Sequence, residues 1–186
     1  MEARRYTPLH EGMVVRWAAL VAAQRHIALP DNSGPVRVVE IGVGSGVTAN
    51  EIAHDLTRRG VEYSYTGVDS MVEDATEAIN LRWARMALIK GDSTDPAIIA
   101  NVPDEIHFLF VDGDHSYSGV RADVDNYGPR VRVGFLMGMH DIGRTGARRV
   151  LAELLDTGEW GLLLRSYERI SSDDLTPGIA VVEKLR

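Results

Sequence analysis

The chain contains no cysteine in its 186 residues, which excludes disulfides, thiolate metal sites and cysteine nucleophiles. Positive charge is also scarce: 20 lysines and arginines face 27 aspartates and glutamates, for a formal net charge of −7. That balance argues against a general nucleic-acid or membrane surface, because phosphate contacts need clustered cations. No apolar run reaches membrane-spanning length, and Met1-Glu2-Ala3-Arg4-Arg5 leads into polar sequence, not into the apolar core of a signal peptide. A soluble cytoplasmic protein is the expectation. What the chain does have is 45% hydrophobic residues over a length that suits one well-buried domain. The reading is therefore a single domain over 1–186, with 1–35 as a leading helix and loop and 36–186 as the core.

The most informative stretch is Val38-Val39-Glu40-Ile41-Gly42-Val43-Gly44-Ser45-Gly46. A β-branched run ends near an acid, passes through glycine at every second position and gives way to a helical pattern near Thr48-Ala49-Asn50-Glu51. Glycine suits such a turn because it adopts backbone angles that side chains forbid and lets a ligand lie against the main chain. A nucleoside-like cofactor is one reading, and an ordinary tight strand-to-helix turn is the other. A dinucleotide fits poorly, since its fingerprint wants the third glycine at the position Val47 occupies.

From Val36 onward strands and helices alternate: Val36–Ile41, a helix through Leu56, Tyr63–Val68, a helix around Asp74–Ala84, Met86–Ile89, a short helix around Pro96–Ala100, Ile106–Val111 and Val131–Met139. That rhythm implies an α/β fold, a mostly parallel sheet with helices on both faces. Ligands in such sheets bind beyond the carboxyl ends of the strands. Asp69, followed by Ser70 and Met71, ends the second strand about twenty residues past the glycine turn, where a carboxylate can accept both hydroxyls of a ribose. Asp92 and Ser93 follow the third strand, with capping of the next helix as their competing role. The wholly apolar fourth strand delivers Asp112, Asp114 and His115 within four residues, a costly arrangement unless those groups meet a cation, a cofactor or water. His140 and Asp141 close the fifth strand.

Glycines 42, 44 and 46 after Glu40 resemble motif I of the class I S-adenosylmethionine-dependent methyltransferases. The run Phe108-Leu109-Phe110-Val111-Asp112-Gly113-Asp114-His115-Ser116-Tyr117 resembles the segment after strand four in bacterial relatives of the catechol, macrolide-sugar and cephalosporin O-methyltransferases. Thr7-Pro8-Leu9-His10-Glu11-Gly12-Met13 resembles the helix start that caps the methionine end of the cofactor in the catechol type. The resemblance implies a Rossmann-like sheet of seven strands with an antiparallel last strand, built here from Trp160–Tyr167 and Gly178–Leu185. It also implies S-adenosyl-L-methionine as cofactor, with Glu40, Gly42, Val43, Gly44, Ser45 and Gly46 at the methionine half, Asp69, Ser70 and Met71 at the ribose, Asp92 and Ser93 at the adenine, and Asp112 and His115 as further cofactor contacts.

In metal-dependent members of the resembled group, acids after strands four and five hold Mg²⁺. The resemblance thus carries Asp112, His140 and Asp141 over as metal ligands, with Mg or Mn as the ion. Imidazole departs from that pattern, since it suits manganese, iron or zinc better than magnesium. His115 stands where catechol-type enzymes keep the lysine that deprotonates the substrate, and with Asp112 and Asp141 it completes the catalytic set. A base and a cofactor contact both suit His115. The function so implied is methyl transfer to a small-molecule hydroxyl assisted by a divalent metal, without nucleic-acid or membrane partners and with the leading helix and late strands available for homo-oligomer contacts. A metal-independent methyltransferase and a cofactor-binding module without turnover are the alternatives. The remaining histidines His10, His26, His54 and His107 show no ligand spacing.

Overall fold

The computed structural model describes residues 9–71, 85–143, 145–169 and 175–186. The helix expected around Asp74–Ala84 lies outside those residues, as do Thr7, Pro8, Arg144 and the segment Ser171–Asp174. The elements in chain order are α1 (Leu9–Ala28), β1 (Val36–Ile41), α2 (Val47–Arg58), β2 (Tyr63–Asp69), β3 (Met86–Lys90), α3 (Pro96–Ile99), β4 (Ile106–Val111), α4 (Tyr117–Tyr127), a 3₁₀ turn (Gly128–Arg130), β5 (Val131–Met139), α5 (Thr145–Asp156), β6 (Trp160–Arg169) and β7 (Leu175–Lys184).

The seven strands form one sheet in the order β3-β2-β1-β4-β5-β7-β6. β1 to β5 are parallel neighbours, and β7 runs antiparallel to both β5 and β6. This is the expected Rossmann-like sheet. Its central strand β4 is buried at every residue, which is why Phe108, Leu109 and Phe110 can follow one another without alternation. α1 lies along β4 and β5 and against α2, while α4 packs on α5. Buried alanines Ala18, Ala19, Ala22 and Ala23 let α1 settle closely onto the sheet. Among the described residues no helix is long and apolar enough to cross a membrane.

The strand order reverses between β1 and β4, since β2 and β3 lie to one side and β5 to the other. Crossover connections leave on opposite faces at such a point, so a crevice opens beyond the carboxyl ends of these two strands. The glycine turn leaves β1 there, and Asp112 leaves β4 beside it.

Candidate active site

Gly42, Gly44 and Gly46 all have positive φ, at 88°, 54° and 75°. Gly42 is fixed by contact as well: a side chain there would run into the backbone carbonyl of Asp112. The two strand ends can touch only because residue 42 has no Cβ. Gly46 is the N-cap of α2 with no side-chain cap, so the first N–H groups of that helix face the crevice without an internal partner. Val43 is buried beneath the turn, while Gly44 is exposed.

Asp69 ends β2 and braces this turn. Its Oδ2 accepts from the Gly44 N–H at 2.8 Å and its Oδ1 from the Met71 N–H at 2.7 Å; Ser70 and Met71 are exposed at the rim. Glu40 lies within β1, 1% exposed, and accepts a hydrogen bond from the Tyr65 hydroxyl. Burial pushes the Glu40 carboxyl up to about 8, against the pull of Tyr65 and with help from the charges of Asp112 and Asp69. Asp92 is exposed and accepts from the N–H and hydroxyl of Thr94, whereas Asp95 supplies the cap of α3 by accepting from Ala97 N–H. Ser93 donates its hydroxyl to Asp123 Oδ1 at 2.6 Å.

The ladder continues one residue past β4 and β5, with Asp112 N–H donating to Ile41 O and His140 N–H to Val111 O. Asp112 and His140 are thereby held on adjacent rungs. His140 Nδ1 lies 2.8 Å from Asp112 Oδ1, off the direction a ring N–H requires, so the contact is ionic and the buried nitrogen carries no hydrogen bond. The far nitrogen, Nε2, is 2.9 Å from Glu11 Oε2. Burial alone would depress His140, but Asp112 and Glu11 outweigh it and lift the imidazole to about 10. His115 leans the other way: its Nδ1 is 2.7 Å from Asp141 Oδ2, and its Nε2 is 3.9 Å from Asp112 Oδ1. Like the contact between His140 Nδ1 and Asp112, the approach of Asp141 to His115 is a charge contact, and it sets the ring with its Nε2 toward Asp112.

Asp141 achieves this contact from a strained backbone, the sole non-glycine residue with positive φ among those described, at 54°. Close packing holds the loop that carries His115, because a Cβ on Gly146 of α5 would come within 2.6 Å of the His115 carbonyl. Asp114 turns away to accept from the N–H and hydroxyl of Ser116, which in turn caps α4. Side-chain atoms of Asp112, His115 and His140 lie within 4.8 Å of one another and form a group able to hold a metal ion. Asp141, placed with the ligands on sequence grounds, stands behind His115, with Oδ1 3.6 Å from His140 Nδ1.

Over residues 39–142 the sequence matches a family described as a methyltransferase domain, which is more than half of the chain. The chain belongs to that family. No curated protein matches the methyltransferase, but its fold is shared with solved structures. An rRNA methylase from Streptococcus thermophilus superposes with a TM-score of 0.69 at 16% identity, over 99% of this chain and 100% of the other. The N-methyltransferase NodS from Bradyrhizobium japonicum, in complex with S-adenosyl-L-homocysteine, gives 0.62 at 14% identity, over 91% and 100%. Fibrillarin from Aeropyrum pernix with natively bound S-adenosyl-L-methionine gives 0.63 at 20% identity, over 89% and 76%. Family and fold make this a class I S-adenosylmethionine-dependent methyltransferase. The names of these proteins range over rRNA and N-methylation, and the fold they share fixes no acceptor atom.

One residue of the site escaped the sequence reading. Glu11 sits in the segment whose Gly12 drew attention, yet it is Glu11, fully buried, that reaches His140. Gly12 meets Glu51 of α2 instead, where an added Cβ would lie 3.2 Å from Oε2. An acid inside an otherwise apolar helix stripe was the available signal.

Proposed function

We propose that the methyltransferase transfers the methyl group of S-adenosyl-L-methionine to a hydroxyl of a small molecule, with His115 as general base. The observation that carries this reading is the Asp141–His115 pair. A carboxylate 2.7 Å from Nδ1 holds the ring by charge, with Nε2 on the side of Asp112, 3.9 Å from its Oδ1. The cofactor lies across the strand ends, its methionine half against Gly42 to Gly46 and the open end of α2, its ribose beside Asp69 and its adenine beside Asp92 and Ser93. When bound, it supplies an electrophilic methyl on a sulfonium. His115 takes the proton from the acceptor hydroxyl as its oxygen becomes the nucleophile, and Asp141 stabilises the imidazolium that forms. His140, held cationic between Glu11 and Asp112, keeps the Asp112 carboxylate beside the acceptor. Holding donor and acceptor in line supplies much of the remaining rate.

A second reading is favoured by the group Asp112, His115 and His140 together with the unbonded, nine-tenths buried Nδ1 of His140. One carboxylate and two imidazoles, each imidazole backed by a further carboxylate, suit manganese, iron or zinc and not magnesium. A bound ion would lower the pKa of the acceptor hydroxyl. The readings exclude each other at His115, whose Nε2 is either base or ligand. The test is calorimetric titration with S-adenosylhomocysteine and with Mn²⁺, alongside methyl transfer to a panel of phenols and sugars before and after chelation. The dyad expects cofactor binding and turnover that survive chelation. The metal reading expects Mn²⁺ binding that disappears in His140→Ala and turnover that chelation abolishes. Failure of S-adenosylhomocysteine to bind under any condition overturns both.

A further inference from the structure

We propose that Asp123 of α4 fixes the Ser93 hydroxyl as an obligate hydrogen-bond acceptor, so that the nucleoside end of the pocket selects a 6-amino purine over its 6-oxo analogue. The inference rests on the adenine lying beside Ser93, as proposed above, and concerns what enforces its identity.

Ser93 is gripped twice by one face of α4. Its hydroxyl donates to Asp123 Oδ1 at 2.6 Å, and its carbonyl accepts from the Tyr127 hydroxyl at 2.7 Å. Asp123 and Tyr127 are four residues apart and so lie one above the other on the helix. Asp123 is 1% exposed, and its second oxygen, Oδ2, is buried without a hydrogen bond among the described residues, under Gly113 of the loop after β4. α4 therefore ties the loop after β3 to the loop after β4 across the floor of the crevice. A carboxylate has no proton to give, and burial pushes this one up only to about 6, with Asp114 and Asp92 adding to the rise and Ser93 opposing it. In the structure the Asp123 Oδ1 accepts from Ser93, which is the role of the carboxylate form.

A serine hydroxyl has a single hydrogen and two lone pairs. With the hydrogen committed to Asp123, the Ser93 oxygen can offer a ligand nothing but a lone pair. The exocyclic amino group of adenine is a donor and satisfies it, whereas the 6-carbonyl of hypoxanthine sets acceptor against acceptor. Sites that hydrogen-bond one partner discriminate chiefly through the group left unpaired by the wrong one. Asp123 touches no ligand in this scheme and is a positioning residue.

The experiment compares the affinities of S-adenosylhomocysteine and S-inosylhomocysteine for the full chain and for Ser93→Ala, Asp123→Ala and the double variant. The parent protein is expected to prefer the adenine ligand by about tenfold, as one hydrogen bond allows. Either single substitution should bring that ratio to within about twofold of unity, and the double variant should lower it no further, because the two residues act as one unit. Ser93→Ala removes only a hydroxyl and tests the idea even where Asp123→Ala fails to fold. A ratio that survives either substitution, or a parent protein that binds both ligands equally, overturns the proposal while leaving the cofactor reading intact. A parent protein that binds neither ligand removes the cofactor reading and this inference with it.

Discussion

His107 stands near the start of β4 and Asp112 just past its end, and the histidine pairs gathered at those two ends have opposite surroundings. At the far end from the crevice, the rings of His26 and His107 meet at a tilt of 52° with centroids 4.4 Å apart, nearly or wholly excluded from solvent. Backbone groups fix their tautomers: His26 Nε2 meets the Gly34 carbonyl, and Arg37 N–H donates to His107 Nδ1. Burial, the neighbouring ring and the guanidinium groups of Arg37 and Arg132 push His107 down to about 4, with Glu105 opposing. At the crevice end, carboxylates flank both imidazoles, and His140 is raised to about 10. The same side chain on the same sheet is a neutral packing group at one end and a charged or proton-accepting group at the other. What stands against the ring decides which.

Removing the proton acceptor should have the largest effect. His115→Gln is expected to lower methyl-transfer kcat by about 10²- to 10⁴-fold, the usual worth of a general base, while S-adenosylhomocysteine affinity measured by calorimetry stays within about threefold. A turnover unchanged by the substitution would erase the functional half of the contrast. Next comes His107. A base whose pKa is about 6.5 unfolded and about 4 folded binds fewer protons when folded, so its contribution is complete above about pH 6.5 and is lost as the pH falls to about 4. The loss amounts to about 3 kcal/mol. His107→Phe should flatten the acid side of a denaturant-derived stability profile by that amount, while costing about 1–2 kcal/mol at neutral pH because the Arg37 N–H loses its acceptor. An equally steep acid slope in the variant would show that His107 is not the titrating element.

Glu11→Gln removes the charge behind His140 and should destabilise the fold at neutral pH by about 1–3 kcal/mol, read from the urea midpoint. Because Glu11 stands behind His140 and not His115, the pH dependence of kcat should keep the parent's shape. The smallest effect belongs to His54, whose ring is 53% exposed with a 3.5 Å approach to Asp55. His54→Ala should change stability by no more than about 0.5 kcal/mol and leave turnover alone; a larger change would mean that exposure is a poor guide to a histidine's role here.

The strands were legible because each is a short apolar or β-branched run between polar connections, and burial on both faces leaves little else such a run can be. Observed and expected limits agree closely from Val36–Ile41 to Val131–Met139. α4 was not read, since Arg121, Asp123 and Asp125 interrupt its apolar period. In the site, position after a strand marked Asp112, His115, His140 and Asp141, and they do converge. What local pattern could not say was which partner each would choose. Glu11 meets His140 across 129 residues of sequence, a separation on which spacing rules are silent. Asp69, Asp92 and Asp114 each accept the N–H two residues on, a turn role that aspartate takes after any strand and that a ligand-centred reading passes over. Of these, only Asp69 also holds the glycine turn.

The left-handed backbone of Asp141 sets two demands on one codon against each other. Glycine at that position would relax the main chain, a gain of about 1 kcal/mol on the scale of such strain, and it would also take away the carboxylate that orients His115. Because Asp141 is buried and lies 2.7 Å from His115, loss of its carboxylate sets a cost of about 1–3 kcal/mol against that relief. Retention of an acid where the main chain would favour glycine makes residue 141 the place to look, in any collection of related sequences, for the point at which a working transferase turns into a mere holder of its cofactor.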